Sequence, residues 1–289
     1  MAEVVVIGPA SLNQIVRLDA LPEQRPHTVT ARAHHRALGG TSAGKTLHLA
    51  SLGTHTLCVA MVGDDADAEA ITGALGADNV EIIALVAAGP SEHHLNLMTE
   101  RGERLSIYLD HAPVRELSAR ERGRVRAELM SARAVALDLS HLGLQLIDEV
   151  RASELPVWVD LHDYDGRAEF HAPFVAIADV ILMNADGIAD PVPFLRAKVD
   201  AGADAAVCTL GALGAVGVAG DGSVVTVAAE PAVIVDTNGA GDAFMAGMMH
   251  SALARGEAGA WSADALRASM TAGAVQAVRA LASSGVGPA

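Results

Sequence analysis

Short runs of β-branched and other apolar residues recur along the chain, separated by alanine-rich stretches whose apolar positions return at helical spacing. The runs at 4–7, 56–62, 134–139, 157–160, 180–183, 205–209 and 224–227 are predicted as strands. The stretches at 46–52, 66–75, 119–132, 143–151 and 193–201 are predicted as helices. Alternation of this kind indicates an α/β fold whose mostly parallel sheet is covered by helices on both faces. Ligands of such sheets bind at the carboxyl ends of the strands.

Two segments break the alternation. Residues 28–38 and 92–109 are polar and strand-like, and Thr99-Glu100-Arg101-Gly102-Glu103-Arg104 suits a hairpin turn. Neither segment can bury both faces, so both are expected in a small sheet projecting from the main one, with projecting segments at about 12–38 and 92–110. The glycine-broken stretch 205–220 is read as strand, turn and strand.

With 289 residues, 51% of them hydrophobic, the chain can bury a large core, and one domain over 1–289 is expected. Its 20 Lys and Arg against 35 Asp and Glu give a net charge of −15, which opposes binding to nucleic acid or an anionic membrane. No run reaches the roughly 18 uninterrupted apolar residues of a membrane helix. Met1-Ala2-Glu3 leads directly into the first strand with no basic segment, so a cytoplasmic protein is expected. Cys58 and Cys208 lie in apolar runs and read as small buried hydrophobes. Adjacent histidines such as His34-His35 and His93-His94 point to opposite faces of a strand, which disfavours a metal site built from either pair.

The candidate chemistry concentrates near the C-terminus. In Asp236-Thr237-Asn238-Gly239-Ala240-Gly241-Asp242, two glycines allow close backbone approach to a ligand, and Phe244, Met248 and Ala252 follow at helical spacing. A helix opening at these glycines would offer its N–H groups to an anion. Asp242, an acid just inside that turn, suggests proton abstraction from a hydroxyl beside a phosphoryl group. Upstream, Gly39-Gly40-Thr41-Ser42-Ala43-Gly44-Lys45-Thr46 matches the P-loop string of glycine, four residues, then Gly-Lys-Thr. A P-loop needs a buried hydrophobic strand before it, and the charged 31–36 stretch is unsuited to that role.

The 236–242 string resembles the C-terminal signature of the ribokinase-like, phosphofructokinase-B-type carbohydrate kinases. Gly39-Gly40, Leu52-Gly53 and Val62-Gly63-Asp64-Asp65 match the layout of that family's sugar-binding half. The resemblance spans essentially the whole chain. It implies a ribokinase-like fold with a small β-sheet lid, a homodimer through that lid, and ATP-dependent phosphorylation of a hydroxymethyl group on a sugar or nucleoside. Asp242 would be the catalytic base, and Gly239, Ala240 and Gly241 the anion hole. Asn184, Thr209, Gly211, Gly214 and Ala274 would contact ATP, with Ala272-Gly273-Ala274-Val275 opening a helix beside the adenine. Asn13, Gly39, Gly40, Lys45, Asp160 and His162 would contact substrate. Asp186 would serve Mg2+, and Asp236 and Asn238 would border a K+ site. A non-catalytic sugar- or nucleotide-binding protein on the same fold, and a P-loop NTPase using 39–46, are the rival readings.

Several positions depart from the family pattern. Asn13 stands where an aspartate is common, and Gly44 where an asparagine is usual, with Lys45 next. Asn184-Ala185-Asp186-Gly187 replaces an Asn-x-x-Glu, and His162 and Tyr164 stand in an Asp-x-Asn-x-Arg segment beginning at Asp160.

Overall fold

The computed structural model describes every residue except 100, 101, 258, 284 and 289. The expected alternation emerges as strands β1 (Val4–Ile7), β2 (Ser11–Leu18), β3 (Ala33–Gly39), β4 (Thr56–Val62), β5 (Val80–Val86), β6 (His93–Thr99), β7 (Arg104–Asp110), β8 (Ala134–Leu137), β9 (Val157–Asp160), β10 (Val180–Asn184), β11 (Ala205–Thr209), β12 (Ala215–Ala219) and β13 (Val224–Val227). The helices are α1 (Thr41–Ser51), α2 (Ala66–Ala74), α3 (Ala119–Leu129), α4 (His141–Ala152), α5 (Ala172–Ile177), α6 (Val192–Asp200), α7 (Ala240–Arg255) and α8 (Ala263–Leu281).

Among the described residues, nine strands form one sheet in the order β13-β12-β11-β10-β9-β8-β1-β4-β5. Pairing is parallel from β5 through β11, and β12 and β13 close one edge antiparallel. Every residue of β1, β4, β8 and β9 is buried, which is why these runs, Thr56 and Asp160 apart, are apolar and not alternating. One face packs on Leu146, Val150, Phe174 and Leu195 from α4, α5 and α6. The other packs on Leu49 of α1, Phe244 and Met248 of α7, and Leu266 and Met270 of α8.

The second sheet has the order β3-β2-β6-β7. It contains β2, which the sequence pattern did not single out as a separate strand because Asn13, Gln14 and Arg17 interrupt its apolar residues. The 28–38 segment is a strand only over Ala33–Gly39. β6 and β7 pair antiparallel as a hairpin; residues 100 and 101 of the expected turn lie outside the described residues.

Helix α1 begins five residues before the expected start. Gly40 supplies its entry with φ of 92°, and a Cβ there would lie 2.5 Å from the Pro9 carbonyl oxygen, so no side chain fits. Helix α8 is capped by the Ser262 side chain, which accepts from the Ala265 N–H. The 272–275 stretch therefore sits in mid-helix and is not the helix start that the sequence suggested.

Candidate active site

The carboxyl ends of β8 and β9 and the first turns of α1 and α7 meet around one buried ammonium. Lys45 is 0% exposed, and its Nζ lies 2.6 Å from Asp242 Oδ1, 2.9 Å from Asp138 Oδ1 and 3.5 Å from Asp160 Oδ2. α1 can approach α7 this closely because residue 44 has no side chain: a Cβ there would lie 3.0 Å from Asp242 Oδ2. The second oxygen of Asp138 accepts from Ser42 Oγ at 2.7 Å and Thr41 Oγ1 at 3.0 Å. Asp160 Oδ1 accepts from the His162 backbone N–H at 3.0 Å and holds that residue at φ of 52°, a left-handed conformation.

Three carboxylates share one ammonium, and the proton affinities of Asp242 and Asp160 diverge. Burial pushes the Asp242 carboxyl up to about 6; Lys45 opposes this, and Asp138 and Asp160 reinforce it. Asp160 is held below the usual carboxylate range: burial raises it, but His162, Lys45 and hydrogen bonds to the charged form outweigh that. For Lys45, burial disfavours the charge, yet the three carboxylates raise its pKa well above the ordinary lysine value. The ammonium is held within the protein, so Lys45, expected among the substrate contacts, is instead the partner of Asp242. A P-loop would present Lys45 and Thr46 to phosphate. Both are buried, and Thr46 Oγ1 donates to the Ser42 carbonyl at 2.7 Å.

Asp242 is the third residue of α7, whose entry at Gly239 has φ of 74°. By position the N–H groups of Ala240 and Gly241 have no intrahelical acceptor, and both residues line a cavity of about 580 Å³. Thr209, Gly211, Gly214, Phe244, Ala274 and Val278 line it too, so six of the expected nucleotide and anion contacts open onto one space: Thr209, Gly211, Gly214, Ala240, Gly241 and Ala274. Its volume falls in the roughly 300–1,000 Å³ range of ligand pockets. Asn184 lies beside Thr209 in the β10–β11 register but does not line the cavity.

The Asp186 backbone N–H donates to Asn184 Oδ1 at 2.9 Å, and its exposed carboxylate has no hydrogen-bond or ion-pair partner among the described residues. One hard carboxylate of this kind suits Mg2+, which keeps several waters when bound. The neighbouring Gly187 has a packing reason: a Cβ there would lie 2.2 Å from the Asp163 carbonyl oxygen.

Asn13 is buried and accepts from Ser11 Oγ at 2.8 Å, and Gly39 lies against its amide. Asp236 and Asn238, expected beside K+, are engaged by protein groups. Asp236 accepts from Arg17 at 3.3 Å and from the Asn238 N–H at 2.8 Å, while Arg104 donates to Asn238 Oδ1. Arg17 and Arg104 belong to the small sheet, so that sheet is fastened to the segment leading into α7. Neither arginine was singled out from the sequence, nor was Asp138. A lone aspartate just after the apolar run 134–137 was the available signal for Asp138.

The sequence model of the pfkB family carbohydrate kinases matches residues 1–286. An acarbose 7(IV)-phosphotransferase of Actinoplanes sp. is 29% identical over 256 residues, covering 87% of this chain and 85% of that protein. Among solved structures, a microbiome-derived acarbose kinase superposes with a TM-score of 0.86 at 25% identity, covering 100% of this chain and 95% of the other. The ribokinase of Arabidopsis thaliana, solved with ribose and ATP, shares the fold at a TM-score of 0.77 and 20% identity, with 99% and 96% covered. The large, mostly parallel sheet with a small separate sheet is thus the ribokinase-like fold, and the chain belongs to the pfkB family of carbohydrate kinases.

Proposed function

We propose that this chain transfers the γ-phosphoryl group of ATP to a hydroxymethyl group of a sugar, with Asp242 as the base. The observation that carries this reading is the position of Asp242. It sits between the cavity rimmed by Ala240 and Gly241 and the Lys45, Asp138 and Asp160 cluster. The oxygen of the hydroxyl forms a bond to the γ-phosphorus as the bond to the β-phosphate oxygen breaks, and the hydroxyl proton passes to Asp242. A carboxylate with pKa near 6 remains too weak to ionise a free alcohol, so the proton moves late, when the oxygen is already bonding to phosphorus. Lys45 holds Asp242 Oδ1 in place, leaving Oδ2, which faces Gly44, for the hydroxyl.

The N–H groups at 239–241 are positioned by the α7 entry to offset charge on the transferred group, and such preorganised donors are commonly the largest contribution. Thr209, Gly211 and Gly214 would flank the phosphates, and Ala274 would pack against the adenine. Mg2+ at the phosphate oxygens would supply charge neutralisation, with Asp186 the residue placed to hold it. The relatives named for acarbose favour a sugar acceptor over a nucleoside. Asn13, Gly39 and Gly40, at the junction of the small sheet and α1, are the proposed contacts to its hydroxyls, with Asp160 and His162 nearby. The small sheet acts as a lid over the acceptor, and Leu105, Ile107 and Leu109 on one face of its strand β7 are proposed to meet a second copy.

Release of ADP from ATP and Mg2+, measured across pentoses, hexoses, oligosaccharides and nucleosides, tests the reading. ADP formation stimulated by a sugar is expected. Tight sugar or nucleotide binding without ADP would support the non-catalytic reading instead.

A further inference from the structure

Next to the carboxylate cluster lies a second, smaller cavity of about 210 Å³. Gly8, Pro9 and Leu139 border it, and Gly8 packs directly on Asp138, where a Cβ would lie 2.7 Å from that of the aspartate. The cavity therefore abuts the proposed phosphorylation site. Its volume is below that of a complete ligand pocket, which makes it an annex to the acceptor site.

Its walls carry aromatic rings in a chain that has few. Of two tyrosines and four phenylalanines, Tyr108 and Phe170 both line this one space, and they are 55% and 40% exposed. Tyr108 comes from lid strand β7. By strand alternation it shares a face with Arg104, which reaches Asn238, so this face looks into the cleft while Leu105, Ile107 and Leu109 face away. Phe170 comes from the main body, in the segment before α5. His111 stacks on Tyr108 at 5.1 Å between centroids, and His141 meets Phe170 edge-on at 5.8 Å. These two imidazoles and Glu92 add hydrogen-bonding groups along the rim. His94 also lies 3.9 Å from Tyr108 between centroids, and the partly exposed rings bordered by polar groups match a pyranose, which has an apolar C–H face and a hydroxylated perimeter.

We propose that this annex is a subsite for a further sugar ring, so that the acceptor is a glycoside of two or more rings and not a free monosaccharide. The inference rests on the kinase reading and narrows its substrate class. Tyr108 and Phe170 grip the outer ring from opposite sides, and closing the lid completes the grip because Tyr108 travels with it.

Calorimetric titration with glucose, maltose, maltotriose and acarbose, alongside ADP release with the same four, tests it on the full-length protein and on Tyr108→Ala and Phe170→Ala. Affinity is expected to rise at least tenfold from the one-ring ligand to the best multi-ring ligand. Each variant should lose most of that gain while its affinity for ATP is unchanged. Both side chains are about half exposed, so the variants should fold; unaltered melting temperatures check this. Affinities independent of ring number, absence of any binding, or variants that bind the multi-ring ligand as wild type does would overturn the subsite. Ring-dependent binding without ADP would overturn the kinase reading and leave the subsite standing.

Discussion

Lys45, Asp138 and Asp160 form the surroundings of Asp242, the proposed base. Removing one partner of a buried ion pair leaves uncompensated charge, at a cost of about 3–5 kcal/mol. Lys45→Met should therefore lower unfolding free energy by about that amount, measured in urea, and adding Asp138→Asn should recover part of the loss. The same cluster predicts a pH dependence. As the proposed base, Asp242 would act only when ionised, so with its pKa near 6, kcat/KM should fall tenfold per unit below about pH 6 and level off above it. A plateau extending down to pH 4 would show that the reacting base has an ordinary carboxylate pKa. Asp242 itself was legible in the sequence because its motif is seven consecutive residues. Asp138, Arg17 and Arg104 were not, because they meet Lys45, Asp236 and Asn238 only after folding, across 93, 219 and 134 positions of chain.

Helix α1 links the carboxylate cluster to α7 and α8. Gly44 and Lys45 face Asp242, and one turn on, His48 Nδ1 is paired with Gln276 Nε2 of α8 at 2.9 Å. Burial pushes the His48 pKa down to about 4. Between pH 6.5 and 4 the unfolded chain therefore binds a proton that the folded state excludes, so this residue contributes stability above pH 6.5 that is lost as pH falls. The loss should reach about 2 kcal/mol at pH 5 by linkage arithmetic. Asp242, whose pKa is raised on folding, acts in the opposite sense, which is why the comparison with a variant isolates His48. His48→Asn, which keeps an acceptor for Gln276, should reduce the fall in urea stability between pH 7.5 and pH 5 by that amount; an unchanged fall would contradict the assignment. The apolar strands of the main sheet were readable because they are buried on both faces. β2 was obscure because its polar residues serve the lid and the cleft, and the start of α1 was obscured by the polar run at 41–46, which reads as a loop until its contacts with Asp138 and Asp242 are known.

At the scale of the molecule, the lid is attached by arginines on its inner face and presents Leu105, Ile107 and Leu109 on its outer one. Three exposed aliphatic residues in alternation on an edge strand invite pairing with another copy. Sedimentation should give twice the 29.6 kDa chain mass, and Leu105→Lys with Ile107→Lys should give the monomer. A wild-type monomer at micromolar concentration would remove the dimer from the account. Among the described residues no helix is long and apolar enough to cross a membrane. The division into a large sheet and a lid was legible from the two polar strand-like segments, whereas the contacts that close the lid were not.

In the proposed reaction Asp242 takes the proton from the acceptor hydroxyl. The most direct measurement is acceptor-dependent ADP release by Asp242→Asn beside wild type, with ATP affinity determined on both. Unchanged ATP binding is expected, with a rate lowered by about 10²–10⁴-fold or more, the range attributed to a positioned base. A variant that turns over like wild type would contradict it.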